Sequence, residues 1–180
     1  AIAAVFLLAV LRQARRWPQW RPLLVGATYA ATMVSFVLAN TYASAATAIF
    51  TQALAPLFVL LLSPWLLGER VRRRDVFFMV ALALGCTLLL LASEVASRTA
   101  SDPGLGLLCA GASCICWACT ILGLRVLSRD HRPGADDPTP QALVLGNALA
   151  FLLTLPMALP VVRCTAQDLA WLGYLGVFQI

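Results

Sequence analysis

Three cysteines stand close together in Cys114-Ile-Cys116-Trp-Ala-Cys119, a spacing that on paper suggests metal chemistry. A closed thiolate site needs four donors around one centre. On successive turns of a helix these thiols splay around the axis, and no histidine or carboxylate lies near enough in sequence to complete a shell. The expected role is small apolar packing, and no metal or other cofactor is expected. His131 is the only histidine and falls in a loop with Pro133, Gly134, Pro138 and Pro140, where a solvated side chain is the ordinary outcome. Signatures of covalent catalysis are absent too. The chain has no G-x-S-x-G, no H-E-x-x-H, no P-loop and no carboxylate pair within an apolar run.

What remains is the chemistry of reversible, non-covalent binding. Thr28, Thr32 and Ser35 recur at helical spacing on one face; Ser44, Thr47 and Thr51 form a similar stripe, and Ser113, Trp117 and Thr120 a third. A single hydroxyl on such a face is more often there for close helix packing. Three faces together can line a polar path, with Trp117 as an aromatic wall. Pro56 falls in the middle of an apolar run and has no N–H for the carbonyl of Gln52, which kinks a helix. In lipid that carbonyl needs protein or cavity water, and interrupted helices at the bilayer midplane are a common place for substrate sites. The cavity candidates are Asn40, Thr47, Thr51, Gln52, Pro56, Ser113, Trp117 and, close to the last residue, Gln179.

The elements that must position these residues follow from composition. Hydrophobic residues make up 61% of the 180 and charged residues 12%, about half the charged share of a soluble domain. Such a chain cannot cover its surface in water, so its solvent is partly lipid. Apolar runs place spans at about 23–41, 44–67, 76–93, 104–124 and 142–162, with partial spans at 1–11 and 171–180. The fold class is therefore all-α, a polytopic bundle of transmembrane helices. Apolar runs at both ends, without a cap or tail, suggest a chain truncated at each terminus.

All thirteen basic residues are arginine, and the net charge of +5 would allow a nucleic-acid partner. Their placement in short clusters between apolar runs points instead to topology, so no nucleic acid is expected. Counting loops from the first partial span, the odd loops hold Arg12, Arg15, Arg16 and Arg21, then Arg70, Arg72, Arg73 and Arg74, then Arg125, Arg129 and Arg132. The even loops hold only Arg98 and Arg163. The positive-inside rule makes the odd loops, around 12–21, 70–75 and 125–132, cytoplasmic. The expected location is a plasma (inner) membrane, crossed several times. Glu69 is expected at the cytoplasmic end of its helix, where it would oppose the dipole and need an arginine from its own loop or another. Arg70, Arg72 and Arg73 are near, and an arginine from another cytoplasmic loop is an equally good partner; a structural ion pair is the default, and a gate the sharper alternative. No Asp, Glu, Lys, Arg or His lies inside a complete span, which argues against an ion channel or a redox pump.

The runs N-T-Y-A-S-A-A-T-A at 40–48, A-P-L-F-V-L-L-L at 55–62, L-L-G-E-R at 66–70 and A-L-G-C-T-L-L-L-L at 83–91 carry a likeness. Through them the sequence resembles the EamA-like family of the drug/metabolite transporter superfamily, and G-Y-L-G-V-F-Q at 173–179 looks like a fainter second copy. Met79 departs from the pattern, since it stands near where that family often has a glycine in the helix after Gly-Glu. The resemblance implies ten helices in two inverted repeats of five. This chain would then hold the end of the first repeat over 1–93 and the start of the second over 104–180. It also implies a secondary transporter or facilitator that moves amino acids, metabolites or drugs by alternating access. Its partners would be a small-molecule solute and the bilayer, with a homo-oligomer allowed. A membrane enzyme acting on lipid-linked groups, or a non-transporting membrane interaction protein, are the competing expectations.

Overall fold

The computed structural model describes residues 20–96, 101–130 and 137–158, with 165, 167, 168, 170, 171, 173 and 174 beyond them. The partial span 1–11, Arg12, Arg15, Arg16, Arg98, His131, Arg132, Arg163, Cys164 and Gln179 lie outside the described residues. Among the described residues the bounded helices are, in order, α1 (Trp20–Tyr42), α2 (Ala45–Gln52), α3 (Ala55–Leu66), α4 (Arg73–Ala96), α5 (Pro103–Arg129) and α6 (Thr139–Ala158). No strand occurs among the described residues. Four stretches are long and apolar enough to cross a membrane: Trp20–Tyr42, Ala45–Leu66 (α2 and α3 together), Pro103–Arg129 and Thr139–Pro156. The fifth expected span, 76–93, falls within the 24-residue α4.

Helix starts are written in side chains that accept from otherwise orphaned N–H groups. Ser44 Oγ accepts from Thr47 N at 3.1 Å to open α2, and Asp102 Oδ1 accepts from Leu105 N at 3.0 Å to open α5 behind Pro103. At the start of α4, Asp75 Oδ2 accepts from Arg72 N at 2.9 Å. Thr165 and Asp168 make a reciprocal box, with Thr165 N donating to Asp168 Oδ2 and Asp168 N to Thr165 Oγ1. The two Thr165 bonds, from its N–H and its hydroxyl, hold the Asp168 carboxyl below the usual aspartate range.

The chain divides into two units, 31–126 and the pair of segments 1–30 and 127–180. In the first, α5 is the central helix. Its buried positions Gly106, Ala110, Cys114, Ala118 and Leu122 recur every four residues, so one stripe of mainly small side chains lets neighbours come close. Ala110 packs with Ala39 of α1 and Ala48 of α2, flanked by Phe36 and Cys109. Further along, Ala118 and Leu122 pack with Val59 of α3 and with Leu67 just beyond it. Cys114 is thus a packing residue in that stripe. By contrast α4 is exposed over most of its described surface; Phe77, Leu84 and Leu88 are all more than half exposed. Such a face suits hydrocarbon and would be a liability in water.

In the second unit, α1 and α6 meet through glycine. A Cβ added to Gly26 would stand 2.9 Å from the carbonyl oxygen of Ala142, and one on Gly146 would stand 2.9 Å from that of Gly26. Arg21, in the first turn of α1, is paired with Asp130 at 2.7 Å, which offsets a cation at the positive end of a helix.

Candidate functional site

The span 45–66 is broken rather than bent. Pro56 occupies the second position of α3, and the chain crosses Ala53 and Leu54 in a tight turn. Leu54 N donates to Thr51 O at 3.1 Å and Leu57 N to Leu54 O at 2.9 Å, three-residue steps where a continuous helix takes four. The expected kink at Pro56 is therefore corrected to an interruption just before it. Its cause is the one expected, since Pro56 has no N–H to bond the carbonyl of Gln52.

Among the described residues, one buried hydroxyl oxygen lacks a hydrogen-bond partner. Ser44 and Thr47 are 2.8 Å apart, hydroxyl to hydroxyl, within the α2 cap. Ser113 is fully buried and donates to the carbonyl of Thr32 at 3.2 Å, which ties α5 to α1. Thr41, Thr87, Thr120 and Thr154 each donate to the carbonyl four residues back, at 2.7–2.9 Å. Thr51 does not. It is 7% exposed, and its Oγ1 has no hydrogen-bond partner. Leaving a buried hydroxyl unmet costs about 1–3 kcal/mol, so the position calls for an explanation.

The other candidates separate. Gln52 and Trp117 are half-buried, on α2 and α5. Asn40 is exposed and returns its Nδ2 to Phe36 O at 2.8 Å, and Pro56 is exposed as well. Thr47, Thr51 and Ser113 are the buried members, on elements joined through Ala48 and Ala110.

Glu69 needs a second correction. The helix ends at Leu66, Leu67 caps it, and Gly68 turns away at φ 67°. That left-handed conformation is the reason for glycine in Leu-Leu-Gly-Glu-Arg. Glu69 thus stands beyond the helix, and its partner is Arg125 near the end of α5, at 3.8 Å. Sequence reasoning offered a local arginine and a distant one equally; the distant one forms the pair. Both side chains are more than half exposed, so the pair should contribute below about 1 kcal/mol. A double-mutant cycle of Glu69→Gln and Arg125→Gln on thermal unfolding is expected to give a coupling in that range that fades with added salt. A coupling above about 2 kcal/mol would overturn this reading.

Beside the pair lies a cleft of about 610 Å³, lined by Leu60, Ser63, Glu69, Arg70, Val71, Arg72 and Asp75. Ser63 and Asp75 were not singled out by sequence reasoning. Asp75 was legible in principle, as a carboxylate in the first turn of an apolar run, where it favours a helix start.

These contacts also bear on topology. Within the unit 31–126, Asp102 N meets Tyr42 O at 3.1 Å, which brings two even loops together, and Glu69 meets Arg125, which brings two odd loops together. Within the other unit, Arg21 and Asp130 again join odd loops. Charge alternation grouped the loops in the same way.

A family model of the EamA-like transporter family matches residues 1–91, just over half of the chain. No curated protein and no solved structure matches it. A polytopic helical chain with a broken span, arginine-rich odd loops and this match belongs to the EamA-like transporter family.

Proposed function

We propose that the protein is a secondary transporter or facilitator of small organic solutes, of the amino-acid, metabolite or drug class, working by alternating access. In this reading it lies in a plasma (inner) membrane with its odd loops in the cytoplasm, and it carries the end of one five-helix repeat over 1–93 and the start of the next over 104–180. The family match supports transport. The observation that carries the solute site is Thr51: a buried hydroxyl without a partner, one residue before the half-buried Gln52 and at the edge of a broken span. A polar group on a passing solute would satisfy it.

The test separates binding from packing. Thr51→Val keeps the shape and removes the hydroxyl. If Thr51 meets solute, the full-length protein in vesicles should show a KM raised about 2- to 10-fold, the worth of one hydrogen bond. Its thermal stability should hold or rise, because an unmet polar group has gone, and Thr51→Ser should restore transport. Unchanged transport in Thr51→Val would remove Thr51 from the site, and no solute movement by the unaltered protein would defeat the transport reading itself.

A further inference from the structure

The connector from α3 to α4 carries more positive charge than its fold uses. Arg70, Arg72, Arg73 and Arg74 are all exposed, and among the described residues none of their guanidinium groups has a carboxylate within ion-pair reach. The two acids of the segment also line the cleft beside it, each with a partner: Glu69 faces Arg125, and Asp75 accepts the backbone N–H of Arg72, so four guanidinium groups against two carboxylates leave the connector a net charge of +2. The N-terminus of α4 adds its own positive end to the same place. Arg70 and Arg72 line the cleft of about 610 Å³, whose inner wall is Leu60 and the buried Ser63.

Large apolar side chains flank this charge on both helices. Trp65, in the last turn of α3, is 90% exposed, and Phe77, in the first turns of α4, is 78% exposed. Exposed aromatics beside a run of arginines, at the end of apolar helices, mark the level where headgroups meet acyl chains. We infer that the α3–α4 connector is a binding site for an anionic phospholipid, with the phosphate held by Arg70 and Arg72 over the cleft and the acyl chains laid along Trp65 and Phe77. Guanidinium forks match a phosphodiester in charge and shape, and basic pockets between membrane helices bind acidic headgroups on this ground. The inference needs the membrane setting but not transport.

The experiment uses the full-length protein in detergent, supplemented with phosphatidylglycerol, with phosphatidylcholine, or with glycerol phosphate alone. Phosphatidylglycerol is expected to raise the unfolding midpoint by about 2–4 °C over phosphatidylcholine and to remain bound in native mass spectra. The Arg70→Gln/Arg72→Gln pair should lose both effects, and Arg70→Lys/Arg72→Lys should keep part of them. Protection equal with both lipids would overturn the inference. Equal protection by glycerol phosphate would assign the arginines to a soluble phosphate and overturn it as well. Retention of phosphatidylglycerol by the glutamine pair at the level of the unaltered protein would move the lipid elsewhere. Should the glutamine pair fail to fold, the lipid comparison on the unaltered protein still decides.

Discussion

Gly106→Leu is expected to leave little folded protein in the membrane, and Gly106→Ala to lower the unfolding midpoint by several degrees. A Cβ on Gly106 would meet Ala43 at its Cβ, at 2.6 Å from its N and at 3.0 Å from its Cα. Two of those atoms are backbone, so no rotamer change relieves the clash and the turn between α1 and α2 must move away from α5. The two are held where they are by Asp102 N on Tyr42 O, at 3.1 Å, and by the buried stripe that begins at Gly106 and runs on through Ala110. Overpacking of this kind costs about 1–3 kcal/mol for a methyl group and more for leucine. Gly111→Ala is the control. Nothing lies within 4 Å of its added Cβ, so that change should be neutral or gain up to about 1 kcal/mol from helix propensity. Thermal unfolding with size-exclusion of the detergent-solubilised variants checks both. If Gly106→Ala is as stable as Gly111→Ala, the close approach to Ala43 is not a constraint.

This contrast also shows where sequence reasoning stops. Grouping of the loops was legible because charge in a membrane protein has few other uses, and the contacts of Asp102, Glu69 and Asp130 group them as the arginines did. Close contacts at Gly26, Gly106 and Gly146 were not legible, because glycine and alanine are spread through every span and only the packing tells an approached glycine from an open one. Threonines posed the same difficulty. Thr51, Thr120 and Thr154 are alike as sequence, yet the last two spend their hydroxyls on their own helix and Thr51 does not. Glu69 was misplaced by a residue or two because Gly68 ends the helix earlier than hydropathy does. Pro56 was recognised as a disruption. Whether it bends or breaks a helix depends on the turn that Ala53 and Leu54 adopt, which no side-chain pattern encodes.

Pro56→Ala is expected to stabilise the protein while cutting transport by about tenfold or more. Ala53 lies at φ −61°, ψ −15° and Leu54 at φ −77°, ψ −7°, both in the right-handed region but with ψ nearer a type I turn than an α-helix. The break is therefore shallow, and alanine at 56 supplies the N–H that lets Gln52 O take a four-residue bond and α2 run on into α3. A first-turn proline costs its own helix little, so the gain is the added four-residue bond to Gln52 O, about 0.5–1.5 kcal/mol, which should raise the unfolding midpoint. A healed helix turns α2 relative to α3 and gives the Gln52 carbonyl a permanent partner, which removes the irregular backbone that a solute would use. Solute flux and thermal unfolding, measured on the same preparation, read the two effects apart. Stability and transport falling together would mean that Pro56 serves only packing. Stability rising with transport intact would mean that the break is not part of the path, and would leave Thr51 to carry the site without it.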